Sequence, residues 1–195
     1  TATSAAAPAT TIAPAPKQAE LPAPPPIKYV PGLEEALVAT GPVTDAESAD
    51  LDTALKAFHD APLKAASDSD YDDYAKPLLA YIAAQPNANW NATLYTDIGL
   101  GYLYAGYYSR TFTDRENAWQ AGRGAANPQA HLVIDRAVGQ LANMHARVGH
   151  DKELRALLAD VGSRPIGGPG TELLQGAKEG VATFKNNPGF AYLCG

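Results

Sequence analysis

A single cysteine, Cys194, leaves this chain no internal disulfide and no multi-cysteine metal site, so neither a disulfide framework nor a zinc module holds its fold. Long apolar runs are missing as well. No stretch approaches the roughly 18 residues that a membrane-crossing helix requires, and no basic-then-apolar signal segment opens the sequence. Aromatic residues make up only 8%, and much of the 46% hydrophobic content is alanine, a balance that reads as soluble and helix-prone. Cations are outnumbered. With 15 Lys and Arg against 21 Asp and Glu, a formal net charge of −6 and no basic stripe, a nucleic-acid partner is excluded.

What is present divides the chain in two. Residues 1–31 alternate Ala with Pro and carry Pro24-Pro25-Pro26, a composition that favours extended polyproline II conformations and cannot form a packed core. The same Ala/Pro/Thr composition suits the linker that follows an export signal in a bacterial secreted or cell-envelope protein. Residues 32–195 read as one helical domain. Thr44 and Glu47 have capping-box spacing ahead of Leu51, Leu55 and Phe58. The acidic cluster Ser67 to Asp70 opens a second helix that stops before Pro86, with Pro77 expected to kink it or mark its true start. Gly99, Gly101 and Ala105 suggest close approach by a neighbouring helix, and Gly106 a turn. Thr171 is the expected cap of a later helix containing Leu174, Ala177, Val181 and Phe184. The predicted helices are 45–60, 68–84, 92–105, 108–121, 129–147, 151–161 and 171–185.

Two markers share a period. The turn glycines Gly106 and Gly149 are 43 residues apart, and the helix-ending Pro86 and Pro128 are 42 apart. Tyr95-x-x-Ile98-Gly99-x-x-Tyr102, followed by Gly106, Tyr108 and Ala118, resembles the tetratricopeptide repeat; Val138-x-x-Leu141-Ala142-x-x-His145 with Gly149 is a fainter copy. The match covers about 91–161. Its period exceeds the family's 34 residues, and Thr111 and Arg115 stand where small and aromatic residues are usual. The resemblance implies an all-α fold of antiparallel helix pairs stacked as a short solenoid, with an extended Pro-rich N-terminal tail and a concave face that binds peptides or other domains without chemistry of its own.

Several segments carry fragments of chemical motifs. Asp68-x-Asp70-x-Asp72 echoes a calcium loop, but Asp73 replaces the required Gly and Leu79 the bidentate Glu. Gly99-Leu100-Gly101 and Gly167-Gly168-Pro169-Gly170 lack the preceding strand and the Lys of a phosphate cradle. His131, His145 and His150 share no helical face with a carboxylate at zinc spacing, so no metal and no cofactor is expected. Cys194-Gly195, after the apolar Phe190-Ala191-Tyr192-Leu193, faintly resembles the start of the nucleophile helix in papain-like cysteine peptidases, making Cys194 the one catalytic candidate.

The reading is a non-catalytic helical-repeat scaffold or protein-interaction module, the N-terminal fragment of a larger exported or cell-envelope protein. Its partner is a protein or peptide, including the remainder of its own parent polypeptide. The rival is the helical part of a cysteine-peptidase-like or other processed secreted enzyme whose catalytic portion follows Gly195. Residues one or two apart on a helix point in different directions, so Tyr102, Tyr104, Tyr107 and Tyr108 cannot all be buried. With Trp119 they are the expected partner-binding residues, and their cluster is the expected dock for residues 1–31.

Overall fold

The computed structural model describes residues 26–61, 70–125 and 127–186. Its elements are β1 (Ile27–Lys28), β2 (Leu37–Val38), α1 (Asp45–Asp60), α2 (Asp70–Ala84), α3 (Asn91–Tyr104), α4 (Tyr108–Gly122), α5 (Pro128–Val148), α6 (Asp151–Val161) and α7 (Pro169–Asn186). The described chain is predominantly α-helical. Its strands form a single antiparallel pairing, Ile27 opposite Val38 and Lys28 opposite Leu37. None of the described helices is long and apolar enough to cross a membrane.

Side chains and glycines define several of the helix ends. Thr44 caps α1 by accepting the Glu47 backbone N–H at 3.1 Å. The reciprocal arm of a capping box is absent, because Glu47 Oε1 accepts the Asn89 backbone N–H at 2.8 Å instead. Asn127 caps α5 by accepting the Gln129 N–H at 3.0 Å, with Pro128 at the first helical position, where its missing N–H costs nothing. Gly149 ends that helix at φ +74°, a left-handed conformation that a side chain would strain. Helix α2 continues through Pro77. Helix α7 starts at Pro169, so Thr171 lies inside it and is not the expected cap; its hydroxyl donates to the Ile166 carbonyl at 2.5 Å.

Helices α3 and α4 are antiparallel, with Gly99 of α3 against Asp114 and Arg115, and Gly122 at the end of α4 against Ala92 at the start of α3. The second close-packing glycine of α3, Gly101, faces the Tyr71 ring of α2. Helices α5 and α7 run parallel, since Gly139 meets Gly170 and, further along both, Ala146 meets Gly180. Two apolar clusters result. Leu37, Leu51, Phe58, Leu78, Trp90 and Ile98 belong to one, and Val38, Trp119, Ile134, Leu141, Leu154 and Leu174 to the other. Each fully buried Leu, Ile or Phe contributes about 1.5–3 kcal/mol.

Strand β2 joins the clusters, because successive residues of a strand point to opposite sides and so send Leu37 into one and Val38 into the other. The segment around it lies across α3 and α5. Asp97 Oδ1 accepts the backbone N–H groups of Glu34 and Glu35 at 3.0 and 2.8 Å, Thr93 Oγ1 accepts that of Val38 at 3.3 Å, and Asn127 Nδ2 donates to the Ala39 carbonyl at 3.2 Å. Arg136 of α5 pairs with Glu35. Ile27 and Lys28, which the sequence assigns to the extended tail, are part of this folded body.

Candidate partner-binding groove

The α3–α4 turn and the second half of α5 enclose a groove of about 370 Å³. Leu103 of α3, Tyr108 and Phe112 of α4, Met144 and Val148 of α5 and Leu173 of α7 form its apolar walls. Polar groups line it too: Gln140 and Asn143 offer amides able to donate and accept, and Arg147 adds a cation. A few polar groups on apolar walls suit an extended peptide, whose backbone needs hydrogen-bond partners while its side chains seek burial.

The expected binding residues part company here. Tyr108 is 60% exposed and lines the groove, and Tyr104, one residue past Leu103, is 69% exposed. Tyr102 and Trp119, by contrast, are buried. Helix α2 covers Tyr102: its ring meets Tyr71 edge-on at 4.9 Å and its hydroxyl donates to Asp72 Oδ1 at 2.6 Å. Burial pushes the Tyr102 phenol up to about 12. Arg110 also pairs with Asp72, and its guanidinium lies 5.3 Å from the Tyr102 ring and 5.6 Å from that of half-buried Tyr107. Trp119 is enclosed because its indole N–H donates to Asp160 Oδ2 at 2.6 Å and Arg164 stacks 4.9 Å above its ring. Cys194 and residues 1–25, with the docking expected of them, lie outside the described residues.

Beneath this surface is a polar set that the sequence reading missed. Asp97, Asp114 and Arg115 are all buried, Arg115 completely. None of the Arg115 side-chain nitrogens meets an acceptor among the described residues; Asp114 and Glu35 act on its charge through space. Desolvation raises the carboxyls of Asp97 and Asp114 to about 7 and lowers Arg115 to about 10. The available signal was weak: acidic residues on otherwise apolar helix faces, opposite Gly99.

The two raised carboxyls set a pH dependence. A folded-state pKa above the unfolded value means that the native state holds its proton more tightly, so this stabilisation is complete below pH about 4 and is lost as pH rises through about 7. The melting temperature is therefore expected to fall by several degrees between pH 5 and pH 8 in differential scanning fluorimetry. Asp97→Asn and Asp114→Asn together should flatten that slope. A melting temperature highest at pH 8 would contradict the assignment.

Comparison with known proteins found no matching family model, no matching curated protein and no matching solved structure.

Proposed function

We propose that this chain is a non-catalytic interaction module, a short tetratricopeptide-like stack of helix pairs, and that its groove holds a segment of another polypeptide or of its own parent protein. The observation that carries this is the groove itself, an uncovered set of apolar side chains with an exposed tyrosine and two amides. Support for the repeat reading comes from the turns: Gly106 and Gly149 both have positive φ, +85° and +74°, and each follows a helix that runs into an antiparallel partner or a new helix. An exported or cell-envelope setting belongs to the same proposal, on the composition of residues 1–26.

The test is site-specific photo-cross-linking in the full chain, in the cells that make it. A benzophenone side chain at position 104 or 108 should capture a polypeptide, whereas one at Lys152, exposed on α6, should not. Tyr108→Ala with Val148→Asp should lower the captured yield by about 10-fold or more, the scale of one lost aromatic anchor, without changing the melting temperature. Cross-links running only to a His-bearing domain of the same polypeptide would favour the rival reading, a helical part of a cysteine-peptidase-like enzyme using Cys194. Equal capture from positions 108 and 152, or none from either, would end the interaction-module proposal.

A further inference from the structure

The geometry points to a site for a divalent transition-metal ion of the zinc type, built by His145 and His150 across the α5–α6 turn. His145 lies in the last turn of α5 and His150 is the residue before α6, and the left-handed Gly149 between them folds the two rings together. Their Nδ1 atoms stand 3.3 Å apart. Two imidazole nitrogens bound to one tetrahedral zinc at about 2.05 Å must be about 3.3 Å from each other. Without an ion the same contact serves as an N–H···N hydrogen bond between the rings, one nitrogen donating and the other accepting according to tautomer.

The rings are held in place without metal. Phe112 of α4 packs against both, at 4.7 Å from His145 and 5.4 Å from His150, so little side-chain freedom is left to lose on binding. Carboxylates stand beside the pair. Glu153, three residues after His150 and so on the same side of α6, lines with His145 and Glu116 a cleft of about 330 Å³. Among the described residues no three ligating side chains already converge on one point. Glu153, which shares the cleft with His145, is the carboxylate assigned to move in as third ligand when the ion binds, with water as the fourth. The ion would staple the end of α5 to the start of α6.

Zinc chloride titrated calorimetrically into the chelator-treated full chain at pH 7.5 tests this. One equivalent should bind at a site where His145→Ala or His150→Ala weakens affinity by about 100-fold or more and Glu153→Gln by about 10-fold. His59→Ala and His131→Ala should leave that site unchanged. His150 is exposed and makes no side-chain capping bond, so its variant keeps the fold. In the unaltered chain, zinc should shift the imidazole resonances of His145 and His150 together and raise the melting temperature. No binding at millimolar zinc, affinity indifferent to both substitutions, or resonances that do not move overturns the site.

Discussion

Gly170→Ala and Gly139→Ala are each expected to cost about 3 kcal/mol of folding stability, the upper range for inserting a methyl group into closed packing. A Cβ on Gly139 would stand 2.7 Å from the Gly170 carbonyl oxygen and 2.8 Å from its Cα, and a Cβ on Gly170 would run into the Asp135 carbonyl. The obstacles are backbone atoms of two helices in direct contact, which cannot rotate aside as a long side chain can. Gly176, in the same α7, has nothing within 4 Å of its would-be Cβ. Gly176→Ala should therefore stabilise by roughly 0.5–1 kcal/mol, the helix preference of Ala over Gly. Urea unfolding of the three variants measures the contrast. If Gly170→Ala and Gly176→Ala unfold alike, α5 and α7 do not meet as described.

Asp135→Ala is expected to cost about 3–5 kcal/mol, the loss seen when one partner of a buried ion pair is removed. Asp135, 4% exposed, accepts from Arg164 Nη2 at 2.6 Å through one oxygen and from the Gly167 backbone N–H at 2.8 Å through the other. Arg164 also donates to the Arg123 carbonyl at 2.8 Å while stacked on Trp119. One carboxylate thus fixes the α6–α7 connection to α5, and its loss leaves Arg164 Nη2 and the Gly167 amide without their acceptor. Asp135→Asn, able to keep the Gly167 bond, should cost less. Thermal melts with hydrogen exchange at Gly167 separate the two variants. Equal stability of Asp135→Ala and the unaltered protein would show that the connection is held by apolar contacts alone.

The helices were legible because their signals are local. Thr44 and Gly149 each act within a few residues, so spacing alone placed the start of α1 and the turn into α6, whereas Pro128, read in the sequence as ending a helix, begins α5. The segment before α1 was not. Its order comes from side chains far along the chain, Asp97 accepting from Glu34 and Glu35 and Arg136 pairing with Glu35, and no local pattern announces such contacts. The tyrosines were half legible. Helical geometry requires neighbouring rings to diverge, but which of them face outward depends on where α2 lies, and that is a tertiary fact. The histidines escaped for a related reason: a spacing of five is not a helical neighbour relation, and only the left-handed Gly149 brings them together.

The segment that joins the two apolar clusters also sets a timetable for synthesis. Glu35 precedes its partner Arg136 by 101 residues, and Ala39 precedes Asn127 by 88. At about 5–20 residues per second, a ribosome takes roughly 5–20 s to deliver α5 after residue 35 has been made. Helices α1 to α3 can gather in that interval, while Val38 waits for the cluster it will enter. Residues 35–39 are thus made long before they can be fastened to α5, and the nascent chain keeps an open seam until that helix arrives to close it.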